Sequence, residues 1–191
     1  MLERVDPIAE KFPSIRLNLM QARADLALSR NLYAEAAAIS RRALASDAGQ
    51  NPLATAELKR ILGLALLASG NRAEGLRDCQ ESLAAVAKLN DVAATLRSRL
   101  ALLRARLETG DRAGALNLLH DAEPALAGHP ESRWRALAWM ARAGRQYAAP
   151  AREALDELAR QWGAAAYCIY LTRPDVQELS RPLLQPVSAI Q

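Results

Sequence analysis

The stretch from Ile61 to Leu83, ILGLALLASGNRAEGLRDCQESL, constrains this chain more than any other. Two apolar patterns of helical period flank a break at Gly70-Asn71. Glycine there ends a helix, because it adopts the left-handed backbone that closes a helix C-terminus. Gly63 precedes the break and Gly75 follows it. A helix packed against its neighbour needs small residues where the two backbones approach, and these glycines supply one on each side. The pattern predicts a tight antiparallel helical hairpin.

The layout recurs. From Leu100 to Leu126 the chain reads LALLRARLETGDRAGALNLLHDAEPAL. Gly110-Asp111 stands where Gly70-Asn71 stood, and Ala115 where Gly75 stood. Upstream, RNLYAEAAAISRRAL carries Tyr33, Ala36 and Ala43; downstream, SRWRALAWMARAGRQYAAPAREAL carries Trp134, Leu137, Ala138 and Tyr147. With Leu62-Gly63, these residues and spacings resemble the tetratricopeptide (TPR) helical-repeat family. Registered on that pattern, copies begin near Leu17, Ala56, Leu96 and Glu131, separated by 39, 40 and 35 residues. A standard repeat has about 34, so the first two are longer by roughly one and a half helical turns. The resemblance covers about residues 14 to 163. The chain departs from the pattern at Arg23, where Leu is expected, at Lys59, where Trp is expected, and at Pro150, beside an early small position.

Composition agrees with a helical fold. Hydrophobic residues make up 51% of the 191, but aromatics only 4%, and Ala alone is over a fifth. Small apolar residues suit close helix packing, and scarce β-branched and aromatic residues argue against sheets. The expected fold is all-α: a TPR-like α-solenoid of about four antiparallel helix pairs with C-terminal capping helices. Residues 1–13, with Pro7 and Pro13, are expected to be a lead-in helix or linker, 14–163 the repeat array, 164–184 the cap and 185–191 a frayed tail. The abrupt start points to a piece of a longer polypeptide. Within the cap, Tyr167, Ile169 and Leu171 are the expected contacts, because a terminal repeat leaves an apolar face to cover. The stretch WGAAAYCIYLTRPDV is similar to the tail after TPR arrays in bacterial multidomain regulators such as serine/threonine kinases.

Chemistry is sparse. Cys79, His120, His129 and Cys168 show no metal-ligand spacing. Both cysteines fall on apolar helical faces, where thiols are buried and inert, and their usage suits a reducing cytosol. No glycine cluster cradles phosphate. Glu153, Asp156 and Glu157 are flanked by Arg152 and Arg160, which reads as a solvated salt-bridged face. Arg97, Arg99, Arg104 and Arg106 form the densest basic cluster of a chain with net charge +4, but no aromatic residue accompanies them for base stacking. Catalytic, metal and cofactor residues are therefore expected to be none, and nucleic acid is an unfavoured partner. No signal peptide pattern follows Met1, and the longest apolar runs reach about half a membrane span. A cytoplasmic protein without membrane contact is expected.

The resemblance implies that the first helix of each pair faces a concave groove. In that register Asn18, Gln21, Asp25, Leu28, Glu57, Ile61, Leu100 and Leu107 face it. The candidate partner-binding residues among the rest are Arg60, Leu64, Leu67, Arg97, Arg104, Arg135, Trp139 and Arg142. Apolar side chains alternating with arginine suit a protein or peptide partner, an acidic amphipathic segment in particular. The positions at which one TPR subclass clamps a C-terminal carboxylate hold Gln21, Asp25, Ile61, Arg97 and Ala101, which do not suit that role. The leading expectation is a non-enzymatic interaction or regulatory scaffold. A structural spacer or self-associating module, forming a homodimer, is the first alternative. A ligand-sensing module of a signalling or transcription regulator is the second, and a closed pocket around Trp139 and Arg104 would favour it.

Overall fold

The computed structural model describes residues 12–47 and 51–184. The expected lead-in up to residue 11, residues 48–50 and the tail from 185 lie outside the described residues. All regular structure among the described residues is helical. In chain order the helices are α1 (Pro13–Ser29), α2 (Tyr33–Asp47), α3 (Pro52–Ala68), α4 (Arg72–Val86), α5 (Val92–Glu108), α6 (Arg112–Leu126), α7 (Pro130–Ala143), α8 (Ala148–Leu171) and α9 (Pro174–Leu184). A 3-10 turn, Arg145–Tyr147, joins α7 to α8.

The first three hairpins are closed by one backbone device. Asn31, Gly70 and Gly110 each take a left-handed conformation, with φ of 59°, 87° and 88°. At each, the residue's own N–H donates to a carbonyl three back, and the next N–H reaches five back: Leu32 to Ala27, Asn71 to Leu66, Asp111 to Arg106. This is the Schellman closure, which satisfies carbonyls that the helix end leaves open. Starts are fixed as economically. Asn51, Asp91 and Asp111 accept at 3.1, 2.8 and 2.8 Å from the N–H groups of Ala54, Ala94 and Gly114. The fourth hairpin differs: Gly144 is extended and the 3-10 turn replaces the left-handed closure.

The hairpin α3–α4 is the tightest approach. A Cβ built on Gly63 would lie 2.7 Å from Cys79 Sγ and 2.9 Å from the Gly75 carbonyl oxygen. One built on Gly75 would lie 2.7 Å from the Gly63 carbonyl oxygen. The two glycines thus face each other across the pair, and Cys79 fills the remaining space.

Each helix packs on its neighbours in sequence. The odd-numbered helices also touch one another in succession: α1 on α3, α3 on α5, α5 on α7 and α7 on α9. Helix α9 then touches α1, so the succession closes into a ring. Its clasp is polar: Asn31 Nδ2 and Tyr33 Oη donate to the Glu178 carboxylate at 3.2 and 3.1 Å.

The C-terminal elements correct one sequence expectation. Gly163 (φ 76°, ψ 161°) breaks α8. In the arm that follows, Tyr167, Tyr170 and Leu171 share the inner face, whereas Ile169 is 72% exposed. Spacing i, i+3, i+4 is the helical face; the i, i+2 spacing of the expected set crosses to the opposite side. Tyr170 takes the place expected of Ile169: it is buried, accepts from Trp134 Nε1 at 3.0 Å and donates to Glu131 at 3.0 Å. Its ring meets Trp134 edge-on.

Replacing Gly63 or Gly75 by Ala is expected to lower stability by about 1–3 kcal/mol, the cost of overpacking a filled contact. Gly128→Ala, where nothing lies within 4 Å, is expected to stay within about 0.5 kcal/mol. Urea unfolding midpoints of the three variants test this; equal midpoints would remove the close-approach argument.

Candidate functional site: an arginine-lined cavity

The ring surrounds a half-open cavity of about 560 Å³. Asp25 and Leu28 line it from α1, Tyr33 from α2, and Arg60 and Leu64 from α3. Leu96, Arg97, Leu100 and Arg104 come from α5, Arg135, Trp139 and Arg142 from α7, and Asp175 and Glu178 from α9. The lining spreads along each inner helix at spacings of three and four, so one face of every inner helix meets the cavity.

Of the eight candidate residues, Arg60, Leu64, Arg97, Arg104, Arg135, Trp139 and Arg142 line this cavity. Leu67 does not. It is 3% exposed and packs with Cys79, Leu102 and Ala105 in the layer between α3, α4 and α5. It lies three residues beyond Leu64, toward α4, and the Gly75 contact draws it inward. Ile61, expected to face the groove, is likewise fully buried. Asn31, Trp162, Arg173, Asp175 and Glu178 complete the lining and were not expected there. Trp162 directly precedes Gly163, and Arg173, Asp175 and Glu178 follow it, in a segment whose reading stopped at a cap.

The electrostatics rest on one buried carboxylate. Glu57, 3% exposed, accepts from Arg60 Nε at 2.6 Å and from Arg97 Nε and Nη2 at 2.9 and 2.7 Å. Arg60 also donates to Asp25 at 2.7 Å. Burial alone would lower the Arg60 pKa, but Glu57 and Asp25 outweigh it and hold the guanidinium above its ordinary value. On the other side of the ring, Arg135 donates to Glu131, the Tyr170 hydroxyl and Asp175 at 3.2, 3.2 and 2.8 Å. Burial opposes its charge too, yet Tyr170, Asp175 and Glu131 raise its pKa. Tyr33 is pushed up to about 12, by burial first and then by Glu178, so it keeps the proton it donates.

Arg104 and Arg142 sit differently. Each guanidinium carbon lies 4.4 Å from the centroid of the Trp139 ring. Arg104 donates through Nε to Glu108 at 2.7 Å. Among the described residues, Arg142 meets the Glu178 backbone oxygen, at 3.4 Å, and its carboxylate, at 4.0 Å. The dense cluster Arg97, Arg99, Arg104 and Arg106 is therefore not one basic patch. Arg99 donates to the Asp121 carbonyl and Arg106 to Asp111, away from the cavity.

On the acidic face of α8, Glu157 is paired, though not with the partners expected. Glu157 takes Arg133 of α7 at 3.1 Å, while Arg152 donates to the Leu183 carbonyl. Among the described residues, no group of three His, Cys, Asp or Glu side chains could hold a metal ion, and no helix is long and apolar enough to cross a membrane. The cysteines part company: Cys79 is buried and its thiol is pushed up to about 12 by burial, whereas Cys168 is exposed, contrary to expectation. It sits beside Ile169 on the outer side of the arm after Gly163.

No family model, curated protein or solved structure matches the chain.

Glu57→Ala is expected to cost about 3 kcal/mol, because it leaves Arg60 buried without its principal partner. Arg97→Ala removes a half-exposed partner and is expected to cost under about 1 kcal/mol. Denaturant titration of both separates a buried network from a decorative one. A thiol reagent at neutral pH is expected to modify one cysteine in the native protein and two after unfolding. Two rapid modifications of native protein would contradict the placement of Cys79.

Proposed function

We propose that this chain is a non-enzymatic, TPR-like sensing module that captures a small anionic ligand in the cavity at its centre. The observation that carries the reading is the closure of the inner helices around Trp139 and Arg104 by α9. An open groove takes a helix about 10 Å across along its whole length. A ring with a 560 Å³ cavity has the size of a small-molecule site, which commonly spans about 300–1,000 Å³. Six arginines line it, and the terminal nitrogens of Arg104 and Arg142 have no carboxylate in hydrogen-bond contact among the described residues, which suits an acidic ligand. In this reading the scaffold is a short α-solenoid of about four helix pairs whose cap has become the closing member. Ligand contacts on α1, α5, α7 and α9 together would bias the ring toward its closed form, which is the physical content of sensing.

A second reading keeps the protein partner. Helix α9 is itself amphipathic and acidic, and it meets the inner surface through Asp175 on Arg135 and Glu178 near Arg142. An acidic helix from another protein would make the same contacts in its place, and a peptide of residues 174–184 supplied in trans would compete with it.

A thermal-shift screen of small organic and inorganic anions tests the first reading. At least one is expected to raise the midpoint by several degrees in a saturable way, by mass action on the folded state. Leu100→Trp, which fills the cavity, is expected to remove that response while the variant stays helical. A screen without any shift, together with a peptide that binds, would move the conclusion to the second reading.

A further inference from the structure

We propose that Arg104 and Arg142, held against Trp139, form the clamp for the ligand's oxyanion group, phosphate or carboxylate, with Glu178 as the built-in competitor for that site. The inference rests on the cavity being a ligand site and adds which atoms hold the ligand.

The other cavity arginines are already neutralised at short range. Arg60 and Arg97 share Glu57, Arg60 has Asp25 as well, and Arg135 and Arg173 converge on Asp175 at 2.8 and 3.0 Å. An incoming anion at any of these must displace a carboxylate that lies in contact. Arg104 is oriented rather than saturated. Its Nε is fixed by Glu108, one turn along α5, and its terminal nitrogens make no hydrogen bond among the described residues. The forked end is the part that grips a carboxylate or phosphate in a bidentate manner. The side chain is 15% exposed, so the fork meets its ligand in a largely dehydrated setting, where a charge-assisted bond is stronger.

Arg142 brings the second fork. It projects from the same helix as Trp139, three residues on, and Trp139 props both guanidiniums at 4.4 Å from its ring. The contact with the indole holds both guanidiniums without using a single N–H. Two positive groups brought to one ring repel each other, and a bound anion close by relieves that repulsion. Among the described residues, Glu178 is the only carboxylate paired with Arg142, at 4.0 Å, while its carboxylate is already engaged by Asn31 and Tyr33. An arriving oxyanion outcompetes a 4.0 Å contact and leaves Glu178 with the two donors it keeps.

The test is calorimetric titration of the full chain with pyrophosphate and, separately, with succinate. At least one is expected to bind, and the preferred one identifies the oxyanion. Arg104→Gln and Arg142→Gln are each expected to weaken that binding about tenfold, the loss of one charge-assisted fork. Arg142 is 40% exposed, so its variant keeps the fold even where Arg104→Gln does not. Glu178→Gln retains an acceptor for Asn31 and Tyr33 and is expected to tighten binding severalfold. Arg97→Gln, in the same cavity but engaged by Glu57, is expected to change it less than about twofold. Binding that ignores both Arg104→Gln and Arg142→Gln, yet disappears in Leu100→Trp, overturns the clamp and leaves the cavity reading standing. Absence of binding by both probes up to millimolar concentration overturns the clamp. If the anion screen is silent as well, the cavity reading falls with it.

Discussion

The structure depends on a backbone constraint: three helices must stop at once and reverse. Asn31, Gly70 and Gly110 do this with the same left-handed closure, 39 and 40 residues apart. A residue with a Cβ that is not Asn pays a steric cost in that conformation, which is why the positions read as they do. The reversal brings paired backbones close, and small residues on the facing sides allow it. Gly63 and Gly75 are the extreme case; Ala36, Ala43, Ala115 and Ala122, all fully buried, do the same work with a methyl group. An alanine-rich chain can fold this way because its helices touch over short distances, where dispersion contacts compensate for small side chains.

Close packing on the outside leaves the inner helices to carry the charge. Arginine side chains are long enough to leave the packed layer and reach the ring's centre, and each needs a partner once it is there. Glu57 and Glu131 sit on the inner helices and supply much of that partnership from within one turn. Asp25 and Glu108 add to it from α1 and α5, and Asp175 and Glu178 from α9, so the charge pattern of the cavity is complete only when the ring is closed. Trp139 organises the two arginines that the carboxylates leave least satisfied. The site is thus built from packing, pairing and closure together rather than from a motif.

Much of this was legible in the residues. Helix ends announce themselves by local chemistry, so Asn51-Pro52, Gly70, Gly110 and Gly163 mark breaks that the structure also has. Seven inner-face positions followed from repeat register, because register and helical period together decide which side of a helix faces inward. Leu67 failed for a reason of the same kind: close to a hairpin end, the partner helix covers more of the circumference, and a residue at the margin of the inner face turns into core. The 39- and 40-residue spacings were visible, but their effect on curvature was not. Closure depends on how the successive hairpins are oriented on one another, and no single residue encodes it. Tyr33 and Glu178 carry no mark in the sequence that would join them across 145 positions.

That join has a kinetic meaning. Every hairpin of the chain is local and forms within tens of residues, the condition under which helical proteins assemble fastest. The Asn31–Glu178 contact spans 147 residues and requires all the intervening hairpins to be in place first. Its entropic cost grows only as the logarithm of the span, so the length itself is tolerable. The two kinds of contact are not held alike, however. The clasp joins the most distant parts of the chain by two hydrogen bonds at the surface, whereas each hairpin is held by packed side chains. The molecule therefore has a soft coordinate, the parting of its two ends, within a body whose hairpins stay intact. A ring of this kind is held least firmly along one seam.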